Sequence, residues 1–85
     1  MSKISERKCQ AVVERLIAIL ASERKRLGLS FNEIAARSGL DHTMVMRVEK
    51  MERMPTILTL LRIADAMGVD LWKKLREATN ADSAS

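Results

Sequence analysis

Residues 31–50 read FNEIAARSGLDHTMVMRVEK. Two short stretches with apolar residues at helical spacing flank a glycine. Ala35 lies midway along the first, Gly39 follows four residues later, and Val45 and Val48 fall in the second. Two helices that cross steeply through a turn of ~3–4 residues need a small side chain where they touch, and Ala35 supplies it. The turn needs a residue that tolerates positive φ, and Gly39 supplies that. Val45 and Val48 form a narrow apolar stripe with Ile34 and Leu40, which anchors the second helix and leaves its other face free. This is the steric skeleton of a helix-turn-helix. A plain helical hairpin inside an α bundle is the competing reading of the segment.

Working outward, the helix boundaries are marked by capping residues. Ser30 and Glu33 form a capping box at the start of the second helix. Asp41 caps the third, which runs to about Lys50. Pro55 blocks continuation and Thr56 caps a fourth. There Ile57, Leu60, Leu61, Ala64 and Met67 recur at helical intervals and are expected to face inward, and Gly68 ends the helix. Asp70 caps a short fifth helix with Leu71, Trp72 and Leu75. Ahead of the motif, a first helix starts after Ser5 and runs towards Leu27, with Val12, Val13, Leu16, Ile17 and Leu20 on one face. Arg24, Lys25 and Arg26 sit in its last turn, at the negative end of the helix dipole. With no alternating strand pattern, the sequence predicts an all-α domain of about five helices. It predicts one domain over residues 1–78, with the motif at about 31–50 and a frayed polar tail over 79–85.

Composition narrows the function classes. Fifteen Lys and Arg against eleven Asp and Glu give a formal net charge of +4 over 85 residues. That charge suits a polyanion partner without demanding one. One Cys excludes an internal disulfide framework. One His and one Cys exclude a four-ligand zinc site, and His42 has no companion ligands. Cys9 has neither a cluster of cations nor a base to activate it. No nucleophile–base–orienter set and no Gly-rich phosphate loop are present, so an enzyme is not expected, nor a cofactor. The longest purely apolar run, residues 16–21, is far shorter than the ~20 residues that span a bilayer, and the N-terminus has no signal-peptide pattern. A cytoplasmic protein with no membrane partner is expected.

Leu20 and Arg24, Gly28-Leu29-Ser30, Glu33-Ile34-Ala35, Gly39-Leu40, Val45, Arg47-Val48-Glu49, Pro55, Leu60-Leu61, Ala64 and Gly68-Val69 together resemble the lambda-repressor/Cro-like helix-turn-helix family, also called the XRE family. The likeness extends over about residues 16–75. It implies a five-helix DNA-binding domain whose third helix, about 42–50, enters the major groove. The chain departs from the family pattern twice. Phe31 stands where a Gln is usual at the start of the second helix, which removes that Gln's phosphate or supporting contact. Met51 stands where Gly often follows the third helix, so either the helix runs on or Met51 holds a left-handed conformation at some cost.

Helical geometry puts His42, Thr43, Met46, Arg47 and Lys50 on the outward side of the third helix. The resemblance implies that His42, Thr43, Met46 and Arg47 contact bases. Arg47 suits guanine O6 and N7, and Thr43 and Met46 suit a thymine methyl. Ser30, Phe31, Lys50 and Arg53 are implied phosphate contacts, the first two through the N–H groups that open the second helix. A solvated charged surface is the plainer reading of Lys50 and Arg53, and packing that of Phe31. The resemblance also implies an ion pair between Arg24 and Glu49 that locks the first helix to the third. Leu71, Trp72 and Leu75 offer more apolar area than a short terminal helix buries, which points to a dimer interface.

The expected function is a sequence-specific transcriptional regulator, bacterial or phage-encoded, that acts as a homodimer on a short palindromic operator and blocks or touches RNA polymerase. A separate ligand-binding domain is not expected. The Gly39-Leu40-Asp41-x-Thr43 run resembles the controllers of restriction–modification operons. The alternative is an antitoxin-type module that binds a toxin partner as well as its own promoter.

Overall fold

The computed structural model describes residues 6–83. Five helices follow in order: α1 (Glu6–Leu27), α2 (Phe31–Ser38), α3 (His42–Glu49), α4 (Ile57–Met67) and α5 (Leu71–Ser83). The fold is all-α and of lambda-repressor type.

Local chemistry accounts for the helix ends. The Ser30 N–H donates to Glu33 Oε1 at 3.0 Å, and the Glu33 N–H donates to Ser30 Oγ at 3.1 Å, completing the capping box of α2. Asp41 accepts from the Thr43 N–H at 3.4 Å, Thr56 from the Thr59 N–H at 3.1 Å and Asp70 from the Trp72 N–H at 3.0 Å. Each acceptor satisfies a donor that the first turn of a helix leaves open. Gly39 takes φ +76°, and its N–H donates to the Ala35 carbonyl at 2.9 Å. A side chain there would be strained by the left-handed backbone, not by crowding, since a Cβ would meet nothing within 4 Å.

The core is one cluster. Leu16, Ile17 and Leu20 of α1 meet Ile34 of α2, Val45 and Val48 of α3, and Leu60, Ile63, Ala64, Ala66 and Met67 of α4. Ile34 is fully buried, which at ~1.5–3 kcal/mol for such a side chain makes it a leading contributor. Helix α5 packs chiefly along α1.

Two expectations need correction. Ile57 and Leu61 do not face inward on α4; both are exposed, and Ile63 and Ala66 take part in the core instead. At about 100° per residue, Leu60, Ile63, Ala64 and Met67 define the inner side, and Ile57 and Leu61 fall to its flank. Helix α5 also does not fray at Thr79 but continues to Ser83. Ala78 is wholly buried, and its carbonyl accepts from Arg15 Nε at 3.1 Å, so packing on α1 holds the polar last turns in helical form. The remaining tail residues, 84–85, and residues 1–5 lie outside the described residues.

Candidate nucleic-acid interface

The α2–α3 unit is joined by a tight turn. Besides the bond from Gly39 to Ala35, the Leu40 N–H donates to Ser38 Oγ at 3.2 Å. Ala35 is half-buried, and Leu40 packs against the edge of the core. Val45 and Val48 are buried and Met44 half-buried, which fixes the rotation of α3 about its axis. The opposite arc then holds His42, Thr43, Met46, Arg47 and Lys50. His42, Arg47 and Lys50 are exposed, and Thr43 and Met46 are half-exposed. The four residues expected to read bases therefore share one uncovered face with Lys50. Arg53 is exposed in the loop beyond. His42 Nδ1 lies 3.4 Å from Asp41 Oδ1, so a carboxylate faces the imidazole at the start of the helix.

The C-terminal end of α3 is closed by an exchange of backbone bonds. The Met51 N–H donates to the Val48 carbonyl at 3.0 Å, and the Glu52 N–H to the Arg47 carbonyl at 2.9 Å. This pair of bonds is a Schellman motif with Met51 in the left-handed position that Gly usually fills. Met51 has φ +61°, alone among the described non-glycine residues in having positive φ. Of the two outcomes open for Met51, the helix stops and Met51 carries the strain.

Arg24 and Glu49 form the expected pair. Nε and Nη2 of Arg24 donate to the two carboxylate oxygens of Glu49 at 2.8 and 2.7 Å, a bidentate fork. Nη1 donates to the Leu29 carbonyl at 2.9 Å. The Glu49 hydrogen bonds raise the Arg24 pKa above its ordinary value, against the opposing effect of burial. Phe31 adds a feature that the sequence did not reveal. Its ring lies under the guanidinium, with Arg24 Cζ 4.3 Å from the ring centroid, a cation–π arrangement. The residue that replaces the usual Gln thus covers the ion pair linking α1 to α3. The Phe/Gln departure was the only available signal, and it does not specify the partner.

The α2 N-terminus has a mixed character. Glu33 already occupies the Ser30 N–H, and that backbone bond, with the Ser30 hydroxyl, lowers the Glu33 pKa. The N–H groups of Phe31 and Asn32 are the ones a helix start leaves without an internal acceptor. A phosphate there would meet those two donors beside a carboxylate. Of the residues expected at a dimer interface, Leu71 and Leu75 turn inward and pack against the core, because α5 lies flat on α1; Trp72 stays 67% exposed. Among the described residues, no group of His, Cys, Asp and Glu could hold a metal ion, and no helix is long and apolar enough to cross a membrane.

The helix-turn-helix family profile matches residues 20–71, more than half of the chain. The chain belongs to the XRE-type helix-turn-helix family. Members of that family are DNA-binding transcriptional regulators. An uncharacterized HTH-type transcriptional regulator of Sinorhizobium fredii is 39% identical over 46 residues, which cover 54% of this chain and 60% of that protein. The match thus spans less than two thirds of the relative's length. No solved structure matches the chain.

Proposed function

We propose that this XRE-type chain is a sequence-specific transcriptional regulator that binds a short palindromic operator as a homodimer, with α3 in the major groove. The observation that carries this reading is the division of α3. Val45 and Val48 are buried in the core, while His42, Thr43, Met46, Arg47 and Lys50 form a face that nothing in the chain covers. Arg47 gives two hydrogen bonds to guanine, Thr43 and Met46 offer methyl groups to thymine, and His42 donates at the helix start. Lys50, Arg53 and the opening turn of α2 at Ser30 and Phe31 hold phosphates and set the register. Phe31 contributes its N–H there, because its ring is engaged with Arg24.

Selection of bound sequences from a random duplex pool tests the reading. A palindromic consensus with half-sites about one helical turn apart supports it. No enrichment at any salt concentration would sink it. The Gly39-Leu40-Asp41-x-Thr43 run favours control of a restriction–modification operon. A neighbouring restriction enzyme and methyltransferase support that assignment, and a neighbouring toxin gene supports the antitoxin alternative instead.

A further inference from the structure

Two features weaken the hold on the C-terminal half of α3. Val45 and Val48 set the rotation of the helix, but the side chains around them leave a cavity of about 20 Å³ where α1, α2, α3 and α4 meet. Ile34, Val45, Val48 and Met67 line it, and Arg24 and Glu49 stand in its wall. Side chains that border a cavity lose the dispersion contacts a packed neighbour would give. The turn that ends the helix is also strained, since Met51 holds φ +61°. Both features adjoin the stretch that carries Arg47 and Lys50.

One contact opposes them. Glu49 is the last residue of α3, and the Arg24 fork fixes both of its carboxylate oxygens. The fork and the bond to the Leu29 carbonyl use three of the five guanidinium N–H groups. Those groups lie in the guanidinium plane, so they hold its edge and leave its faces free to tilt. The Phe31 ring stops the tilt by covering one face, 4.3 Å from Arg24 Cζ. The side chains of Arg24 and Glu49 are only 14% and 15% exposed, a setting in which a cation over a ring is worth more than at an open surface. An aliphatic side chain could fill the same space without offering the negative face of a ring.

We propose that Phe31 is a positioning residue for DNA recognition: stacked on Arg24, its ring holds the fork on Glu49 and so fixes the last turn of α3, from which Arg47 and Lys50 reach the duplex. The inference rests on the DNA-binding reading above and deepens it. Phe31 then has two parts in one operation. Its N–H meets a phosphate at the start of α2, and its ring steadies the helix that reads bases. Phosphate anchoring and base reading are tied through a single residue, and the ordering of α3 is complete before the duplex is seated.

Two measurements on the full chain test the proposal: solvent exchange of the Arg24 Nε–H by NMR, and affinity for operator against scrambled duplex. A variant that merely folds less well loses affinity for both duplexes alike, so their ratio isolates the aim of α3. In Phe31→Leu the Arg24 Nε–H should exchange about fivefold faster, the size of a partly desolvated cation–π contact. The ratio of operator to scrambled affinity should fall by about threefold, within that same limit. Phe31→Tyr, which keeps the ring, should restore both. Should Phe31→Leu fail to fold, pentafluorophenylalanine at position 31 provides the readout. It keeps the shape of the ring but not its negative face, and should produce the same two changes. An Arg24 Nε–H that exchanges as in the parent overturns the proposal. So does a variant that discriminates as well as a DNA-binding parent. A wild type that binds neither duplex, with Arg24 responding as expected, supports the hold of Phe31 on the fork and counts only against the DNA reading.

Discussion

Arg47 on α3 and Lys50, which caps that helix, are three residues apart and both exposed, and their side chains suit different tasks. A guanidinium in the groove makes a bidentate contact worth ~1–3 kcal/mol of discrimination at one base pair. An ammonium at the helix end acts as a point charge on phosphate. Arg47→Ala should therefore flatten the preference at one position in each half-site. Lys50→Ala should weaken all sequences alike and lower the salt slope by ~1. Titrations on operator and scrambled duplexes at several salt concentrations separate the two; equal losses on both duplexes for Arg47→Ala would reduce it to a phosphate contact. Met51 lends itself to a stability test. Its left-handed backbone costs about 1–2 kcal/mol that glycine would avoid, and the exposed side chain returns little packing. Met51→Gly should stabilise the fold by about 1 kcal/mol, raising Tm by ~4–8 °C in a domain of this size. A lower Tm would show that the methionine side chain outweighs the strain.

Among the elements, α2 has an N-terminal cap that depends on pH. The Ser30 N–H and hydroxyl hold the Glu33 carboxyl below its ordinary value of 4.5. The hydrogen bond from Arg26, and then Lys74 of α5, does the same for Glu23 on α1. Both groups bind their proton less readily in the folded chain than in the unfolded one. Their contribution is thus complete above pH 4.5 and is lost as the pH falls through the lowered values. Urea melts between pH 6 and about 3 should show stability declining below pH 4.5. Glu33→Gln, which can still accept from Ser30 but does not titrate, should make that decline shallower. An unchanged slope would mean the cap is not coupled to folding.

The same elements show what the sequence could convey. The ends of α2, α3 and α4 were legible because Ser30, Asp41, Thr56, Gly39 and Gly68 act within a turn of their own positions. The outward face of α3 and the Arg24–Glu49 pair were legible too, the first from helical spacing and the second from family resemblance. Three features depend on contacts between distant segments. The last turns of α5 are polar by composition but held by Ala78 against α1. Ile57 and Leu61 match the apolar period of α4 yet have no neighbour to cover them. Phe31 is an aromatic at a helix start until α1 brings Arg24 above it. No local pattern encodes these partners.

Across the whole molecule, the long α1 serves as the frame. It contributes Leu16, Ile17 and Leu20 to the core, Arg24 to the end of α3, and a bed for α5. The direction of the recognition helix is thus fixed before DNA arrives, and ordering it adds little cost to binding. Helix α5, by contrast, begins with the chain's single tryptophan turned outward. That makes the intrinsic fluorescence of this protein an optical reporter of its surface. The indole is already wetted in the native state, so its emission should sit close to that of the unfolded chain and change little across a urea transition that circular dichroism follows fully. An interface built on α5 would cover the indole and shift that emission to the blue as protein concentration rises, whereas association elsewhere would leave it unchanged. A spectrum taken at two dilutions would therefore show whether α5 takes part in association before any residue is changed.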